Sequence, residues 1–450
     1  MEYPSFKGKK VLIMGLGLLG RGVGDARFFA EEGAEVLVTD MKTEEQLKDS
    51  VQQLKDFPNI RYRLGEHRLE DFKGQDMVVK AAGVPLDSPF VEEARKNDIP
   101  VEMDASLLAK LAHGVIFIGI TGTRGKTTTT TLIYQIAQRA FGKSSQKVFL
   151  GGNIRGTATL PLIRQLKKGD IVVLELDSWQ LQGFGEAKVS PHIAVFTNLL
   201  NDHLNYYKNS VERYLEDKAQ IFLHQKQNDY LVAGEKVAHL LTAKYFSAIQ
   251  NPICVGRAES VPQDWDIKLK GLHNRENVAL AIQAAKILGV QYEVIKEVVE
   301  GFGGVEGRLQ FLKNHKGISI YNDTTATTPD ATIAGLKALS KDKNVVLIMG
   351  GADKTLDMSE LMKFIPLAAK ASFVLPGTGT EKNKGAIQGL EKEGVPVTFC
   401  AGLKDAFDGA MSVARPGDVV LFSPAFASFG LFKNEYDRGD QFAALVSALS

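Results

Sequence analysis

Short apolar segments alternate with amphipathic segments along most of the chain. Apolar runs such as 11–14, 171–174 and 345–349 predict buried strands, because a strand covered on both faces has a nearly continuous apolar sequence. The segments between these runs carry polar residues at helical spacing, so strands and helices alternate. This alternation predicts an α/β protein with parallel sheets, in which functional groups collect at the carboxyl ends of the strands.

The length of the chain predicts several domains. A chain of 450 residues is too long to fold around one hydrophobic core, so we expect about three domains. We place a Rossmann-like domain at residues 1–110 and a P-loop ATPase-type domain with a parallel sheet at 111–305. A C-terminal Rossmann-like α/β domain is expected at 306–450.

Composition and charge exclude several classes of protein. The chain has 54 Lys and Arg residues and 53 Asp and Glu residues, and this net charge of +1 argues against a nucleic acid or a membrane as partner. Its two cysteines, Cys254 and Cys400, lie far apart and have no metal-type spacing. The first residues lack the plan of a signal peptide, and no apolar run is long enough to cross a bilayer. A cytoplasmic protein is expected, and we expect it to be a monomer.

A glycine-rich turn follows the first predicted strand. It reads Gly15-Leu-Gly-Leu18-Leu-Gly20, and Asp40 stands at the end of the next predicted strand. This arrangement is typical of a Rossmann-type site for NAD or another nucleotide diphosphate. A tight turn selected only for packing is the alternative at this point.

A second glycine-rich turn lies between an apolar run and a helix-like segment at residues 121–128, which read Thr-Gly-Thr-Arg-Gly-Lys-Thr-Thr. Glycines let backbone N–H groups converge on phosphate oxygens, and the helix N-terminus adds partial positive charge. Lys126 supplies a mobile cation, and Thr127 can hold Mg²⁺. The sequence therefore predicts an ATP site formed by Gly122, Thr123, Gly125, Lys126, Thr127 and Thr128.

Two residues at or beyond the ends of predicted strands, in the same segment as the phosphate loop, point to a metal. Glu175 and His203 would project toward Lys126 if the central sheet is parallel. A carboxylate near phosphates requires a cation between them, so Glu175 indicates Mg²⁺. His203 is open to two interpretations on position alone, as a metal ligand or as a structural histidine.

These motifs, taken in order, resemble the Mur ligase family over essentially the whole chain. The resemblance rests on residues 121–128, Gly151-Gly-Asn153, Leu174-Glu175, residues 197–204 and His273-Asn274. Residues 322–327, 350–354 and 421–429 are similar to the amino-acid-binding domain of that family, and the first glycine-rich turn to its UDP-binding domain.

The resemblance implies roles for individual residues. It implies two Mg²⁺ ions, one on Thr127 and Glu175, the other on His203 and a Lys218 that is carbamylated by CO₂. It implies that the nucleotide is held by a polar set comprising Asn274, Asn277, Arg308 and Asp323. The UDP-sugar substrate would contact Leu18, Asp40, Lys42, Gly83, Asn153 and His203, and glutamate would contact Thr327, Lys354, Ser423 and Phe429.

Several positions depart from the family pattern. Thr325 stands where the family usually has lysine, which removes one cation expected near the glutamate, and Gly307 stands where histidine is usual. Ala81-Ala82 replaces Ser-Pro before Gly83, and Asp177 replaces a serine. These departures affect expected details of UDP and glutamate binding more than the phosphate site.

The resemblance implies a cytoplasmic enzyme of peptidoglycan precursor synthesis. It would be an ATP-dependent amide ligase that joins D-glutamate to UDP-N-acetylmuramoyl-L-alanine through an acyl phosphate. One alternative is the same chemistry with L-glutamate or another amino acid, which the loss of the cation at Thr325 would permit. A more distant alternative is an NAD(P)-binding oxidoreductase or nucleotide sensor built on the first glycine-rich turn.

Overall fold

The computed structural model describes residues 2–18, 20–142, 144–154, 158–202 and 206–449. In these residues the strands form three separate sheets. The first sheet has the order β3-β2-β1-β4-β5 and is parallel throughout. Its strands are β1 (Lys10–Met14), β2 (Glu35–Asp40), β3 (Ile60–Leu64), β4 (Met77–Lys80) and β5 (Val101–Glu102), and the accompanying helices are α1 (Arg21–Glu31), α2 (Lys48–Gln52), α3 (Pro89–Lys96) and α4 (Asp104–Leu111).

The second sheet is also parallel, with its most apolar strand near the centre. Its strands are β6 (Ile116–Thr121), β7 (Val148–Gly152), β8 (Ile171–Glu175), β9 (Ile193–Phe196), β10 (Tyr230–Gly234) and β11 (Cys254–Gly256). They lie in the order β11-β10-β9-β6-β8-β7. The helices between β6 and the first strand of the third sheet are α5 (Lys126–Phe141), α6 (Ser178–Ala187), α7 (Val211–Ala219), α8 (Glu235–Tyr245), α9 (Leu272–Ile287) and α10 (Tyr292–Gly301).

The third sheet is parallel except at one edge. Its strands are β12 (Gln310–His315), β13 (Ile318–Asn322), β14 (Val345–Gly350), β15 (Ala369–Leu375), β16 (Val397–Phe399) and β17 (Val419–Phe422), in the order β12-β13-β17-β14-β15-β16. β12 and β13 are antiparallel because only the two residues Lys316 and Gly317, both with positive φ, connect them. The helices are α11 (Pro329–Leu339), α12 (Ser359–Ala368), α13 (Thr378–Lys382), α14 (Lys384–Gly389), α15 (Leu403–Val413) and α16 (Glu435–Ser447), and short 3₁₀ helices occur at Leu69–Phe72, Leu160–Arg164, Ala258–Ser260 and Leu390–Glu393.

The chain divides into two compact units. One comprises Met1–Val261 with Glu276–Val298, and the other comprises Pro262–Arg275 with Val299–Ser450. The first unit contains two sheets because their cores are continuous, with Phe29 and Leu108 in the same apolar cluster as Leu174. The third sheet has a separate apolar core on each face. The α/β class is confirmed, and each predicted segment contains one sheet, while the boundaries near residues 110 and 305 stay predictions.

Candidate active site

The turn between β6 and α5 requires its glycines for both conformation and space. Gly122 and Gly125 have φ values of +140° and +80°, which side-chain-bearing residues rarely adopt. A Cβ atom at Gly122 would lie 1.9 Å from Thr197 Oγ1, and one at Gly125 would lie 2.2 Å from Asn277 Oδ1. The turn is thus pressed against the end of β9 and against α9, so its backbone is closely confined.

Hydrogen bonds from the end of β9 hold this turn in place. The Arg124 N–H donates to Asn198 Oδ1 (2.9 Å), and Thr197 Oγ1 donates to the Arg124 carbonyl (2.6 Å). Lys126 begins α5, and its Nζ donates to the carbonyls of Gly122 (3.0 Å) and Thr123 (3.2 Å). The result is a helix N-terminus with a lysine folded over a fixed loop, which is the arrangement that binds a polyphosphate.

Glu175 and Lys218 lie beside this loop. Glu175 ends β8, is buried, and is in register with Ile120 on the adjacent β6. Lys218 is on α7, and its buried Nζ donates to the Gly122 carbonyl (3.0 Å) and to Thr121 Oγ1 (3.3 Å). Lys126 and Lys218 therefore donate to one carbonyl oxygen, which brings two predicted site lysines together.

The two lysines affect each other electrostatically. Burial, and then the charge of Lys126, hold the pKa of Lys218 well below its ordinary value. The Lys218 Nζ also lies 4.6 Å from the centroid of the Tyr214 ring. Lys218 is therefore a buried amine whose surroundings favour the neutral form.

The donor set around the loop fits Mg²⁺. Thr127 stands in the first turn of α5 and Glu175 at the end of the neighbouring strand, so the side chains present are oxygen donors, which Mg²⁺ prefers together with phosphate oxygens and water. No three His, Cys, Asp or Glu side chains are grouped as a metal site within the described residues. His203, the predicted ligand of a second ion, lies outside them.

A cavity of about 520 Å³ in the first unit brings together the predicted UDP-sugar residues. Its lining includes Leu18, Asp40, Lys42, Gly83 and Asn153. Asn153 follows β7, and its N–H donates to the Glu175 carbonyl at 2.7 Å. One end of the cavity is thereby joined to the strand end that carries Glu175.

Asp40 braces the first glycine-rich turn. Its Oδ2 accepts hydrogen bonds from the N–H groups of Leu16 (2.9 Å) and Gly17 (3.0 Å), and its Oδ1 accepts one from the Lys42 N–H (2.9 Å). The carboxylate thus fixes the shape of the turn that lines the cavity.

Sequence reasoning missed several residues of the cavity. Arg21 begins α1 and donates through Nη2 to Asn153 Oδ1 at 2.6 Å, so it holds one of the predicted substrate residues. Lys80 is buried at the end of β4 and donates to the Val84 carbonyl at 2.8 Å. Burial lowers the pKa of Lys80 to about 8. The signal that could have found Lys80 is its position, directly before the Ala81-Ala82-Gly83 loop at a predicted strand end.

Asp177, one of the departures from the family pattern, has a local structural role. It caps α6, accepting a hydrogen bond from the Gln180 N–H at 2.7 Å, while Gln180 Oε1 accepts one from the Asp177 N–H at 3.3 Å. Asp177 also lines the cavity.

In the second unit, Asp323 and Ser423 are in direct contact. Ser423 Oγ donates to Asp323 Oδ2 at 2.8 Å, and the Leu309 N–H donates to Asp323 Oδ1 at 3.0 Å. Asp323 follows β13 and Ser423 follows β17, the neighbouring strand, which explains the contact. Burial raises the pKa of Asp323 to about 7, although both hydrogen bonds and Arg308 oppose the shift.

The other residues predicted for glutamate lie on nearby loops of this unit. Lys354 Nζ donates to Thr327 Oγ1 at 3.5 Å, so the structure brings this pair together. Phe429 is 66% exposed, as expected for a side chain that would cover a ligand. Of the polar set predicted for the nucleotide, Asn274 is buried on α9, where its side chain donates to the Lys270 carbonyl at 2.8 Å, and Arg308 is half-buried.

Two departures from the family pattern, Gly307 and Thr325, contact each other. Thr325 Oγ1 donates to the Gly307 carbonyl at 2.9 Å, and the Thr325 N–H donates to the same oxygen at 3.1 Å. Gly307 has a φ of +69°, and a Cβ atom there would lie 2.8 Å from Thr324 Cγ2. The Thr325 hydroxyl therefore donates its hydrogen bond to the backbone.

Comparisons with known proteins identify the family of this chain. Family models match as a Mur ligase MurD-like N-terminal domain (residues 9–102), a Mur ligase middle domain (120–252) and a Mur ligase glutamate ligase domain (307–426). Relatives named UDP-N-acetylmuramoylalanine–D-glutamate ligase from Roseiflexus sp. (strain RS-1) and Borreliella afzelii (strain PKo) are each 36% identical, covering 98% and 100% of this chain and 99% and 100% of their own. The MurF ligase of Thermotoga maritima, solved in complex with ADP, shares the fold at 17% identity and a TM-score of 0.57, covering 91% of this chain and 93% of its own. The chain belongs to the Mur ligase family.

Proposed function

We propose that this chain is an ATP-dependent ligase that joins D-glutamate to UDP-N-acetylmuramoyl-L-alanine in the cytoplasmic synthesis of peptidoglycan precursors, and that it acts as a monomer. The observation that carries the proposal is the hydrogen bond between the Asn153 N–H and the Glu175 carbonyl, at 2.7 Å. It joins the cavity lined by the predicted UDP-sugar residues to the edge of the sheet that carries the phosphate loop. A substrate held in that cavity would present its far end to the phosphates of ATP.

The first chemical step transfers the γ-phosphoryl group. A carboxylate oxygen of the alanine attacks the γ-phosphorus, and ADP leaves. Lys126 and the N–H groups at the start of α5 stabilise the charge on the phosphate oxygens, and the confined backbone of the loop keeps these donors in position. Arg21 holds the Asn153 side chain, which would orient the substrate.

Mg²⁺ would be held by Thr127 and Glu175, and a second ion by His203 and carbamylated Lys218. When bound, Mg²⁺ neutralises negative charge on the phosphates that otherwise repels the attacking carboxylate. Glu175 and Thr127 would contribute oxygen ligands from two elements, the end of β8 and the first turn of α5.

The second chemical step forms the amide. The neutral amine of glutamate attacks the acyl carbon of the acyl phosphate, the C–O bond breaks, and inorganic phosphate leaves with the proton that the new amide nitrogen loses. Lys354 would pair with a carboxylate of glutamate, beside Thr327, Ser423 and Phe429. Asn274, Asn277, Arg308 and Asp323 would hold the nucleotide.

Carbamylation of Lys218 is part of this proposal. A neutral amine reacts with CO₂ to give a carbamate and one proton, and burial of Lys218 favours the neutral amine. Protein equilibrated with ¹³C-labelled bicarbonate should give a carbamate carbon resonance that is absent from Lys218→Arg. The same resonance in the variant would refute the assignment.

Phosphate release tests the function directly. Purified protein with ATP, Mg²⁺ and UDP-N-acetylmuramoyl-L-alanine should release phosphate when D-glutamate is added. Release no faster than without an amino acid would reject the ligase, and equal rates with D- and L-glutamate would reject the proposed stereochemistry. The L-glutamate arm matters here because Thr325 replaces the usual lysine.

A further inference from the structure

The side chain of Arg438, on α16, is fully buried, and within the described residues its hydrogen bonds are all to uncharged groups. Its exposure is 0%, and no carboxylate in the described part of the chain forms an ion pair with it. Burial lowers its pKa to about 10. The charge of Glu435 opposes this shift only in part. A charge taken out of water is costly, so the hydrogen bonds of Arg438 must offset a large desolvation penalty.

Arg438 uses all three nitrogens of its guanidinium on two loops. Nε donates to Thr324 Oγ1 at 3.1 Å, and Nη2 donates to the Thr324 carbonyl at 2.7 Å. Nη1 donates to the Phe426 carbonyl at 3.1 Å. Thr324 lies in the loop after β13, and Phe426 lies in the loop after β17. Because the guanidinium is planar and rigid, it fixes the distance and angle between these loops.

The backbone of α16 also approaches the first of these loops closely. A Cβ atom at Gly439 would lie 2.6 Å from Thr324 Cγ2, so only glycine leaves room for this approach. Thr324 Oγ1 donates in turn to the Glu435 carbonyl at 3.0 Å. Thr324 is therefore held both by a side chain and by the backbone of the helix.

The two loops are paired with each other and with a third loop. The Ala425 N–H donates to the Ala326 carbonyl at 2.8 Å, and Ala425 has a φ of +64°, a strained value for alanine. Ala427 exchanges backbone hydrogen bonds with Ala352, at 2.9 and 3.1 Å, in the loop after β14. These three loops carry the residues proposed to hold glutamate, namely Thr327, Ser423, Phe429 and Lys354.

We propose that Arg438 is a positioning residue of the amino-acid site, which holds the loops after β13 and β17 in the arrangement that accepts glutamate. Within the described residues, the hydrogen bonds of Arg438 are to Thr324 and Phe426 and to none of the predicted ligand-binding side chains, so it acts through the Thr324 hydroxyl and the backbone of both residues. The inference rests on the proposed function, because it takes these loops as the glutamate site.

The test compares KM values in variants at this position. Lysine keeps the charge but cannot reach three acceptors, so Arg438→Lys should raise KM for D-glutamate about tenfold or more. KM for UDP-N-acetylmuramoyl-L-alanine should change by less than about threefold, since the residues proposed to hold it line a cavity of the first unit, whereas the described contacts of Arg438 lie in the second unit. The matched control is Arg415→Lys. Arg415 is exposed in the same unit and also donates to two backbone carbonyls, those of Ser412 and Ala414, and its replacement should leave both KM values unchanged.

A merely structural role makes a different prediction. If Arg438→Lys lowers only the melting temperature or kcat, or raises both KM values alike, the positioning role is wrong. Should the Arg438 variants fail to fold, Thr324→Val and Thr324→Ser carry the test. Valine removes the hydroxyl acceptor and should raise KM for D-glutamate, whereas serine keeps the hydroxyl and should not. A wild-type protein without D-glutamate-dependent phosphate release overturns the proposed function together with this inference, while an active wild type with unaffected variants overturns the inference alone.

Discussion

Replacing Asp323 by asparagine should change the pH dependence of stability in the second unit. The carboxyl group has a pKa of about 7 in the folded protein against an ordinary value of 3.8. Between these two values the unfolded chain has released a proton that the folded chain retains. The stability of the wild type therefore falls as the pH rises from 3.8 to about 7, and this contribution is constant above that range.

The two pKa values set the size of the effect. The raised pKa of Asp323 lowers the free energy of unfolding by about 1.5 kcal/mol at pH 5 and about 4 kcal/mol at pH 8. Asparagine does not ionise. The free energy of unfolding of Asp323→Asn should therefore rise by about 2.5 kcal/mol relative to that of the wild type between pH 5 and pH 8. Any weakening of the hydrogen bonds to Ser423 and Leu309 that costs the same stability at both pH values cancels from this difference.

Urea unfolding followed by Trp265 fluorescence measures this difference. Trp265 is buried in the unit that contains Asp323, and Trp179→Phe in both proteins removes the other tryptophan. Asp330→Asn is the matched control, because Asp330 is an exposed carboxylate at the start of α11. A stability difference between Asp323→Asn and wild type that does not change with pH, or that changes in the opposite direction, would show that burial does not hold Asp323 in its neutral form.

Two further substitutions test the phosphate loop and the cavity. Gly125→Ala forces a Cβ to within 2.2 Å of Asn277 Oδ1 and should reduce ATP-dependent phosphate release by about 100-fold or more, whereas Gly385→Ala, which has open space, should have no effect. Because the pKa of Lys80 is about 8, wild-type affinity for the UDP substrate should fall severalfold as the pH rises through about 8, as titration calorimetry would detect. Lys80→Met should bind weakly at every pH without that step, and a step that persists in the variant would assign the titration to another group.

Local pattern was sufficient to predict strands and the glycine-rich turn after β6. Each apolar run became a strand, and the glycines at 122 and 125 have the positive φ values that a phosphate-binding turn requires. The antiparallel pairing of β12 was not predicted, because it depends on a two-residue turn at Lys316 and Gly317 rather than on periodicity.

Contacts between distant segments were not predictable in the same way. Arg438 has the sequence environment of a solvated helix residue, and only the packing of α16 on two loops makes it fully buried. Arg21 and Lys80 gained their importance through partners at Asn153 and Val84, which periodicity does not connect to them. The roles of the individual site residues stay predictions, and the measurements above address them.

The contact between Gly307 and Thr325 has an evolutionary consequence. A histidine at 307, the residue usual in the family, would need a left-handed backbone and would displace Thr324, which Arg438 holds in place. A Cβ atom at 307 would also lie 3.4 Å from Thr325 Cγ2, so the residue that is tolerated at 307 depends on the side chains at 324 and 325, and restoring the usual residue at 307 alone should destabilise the protein. Across related chains, glycine at 307 should be inherited together with a small hydroxyl residue at 325.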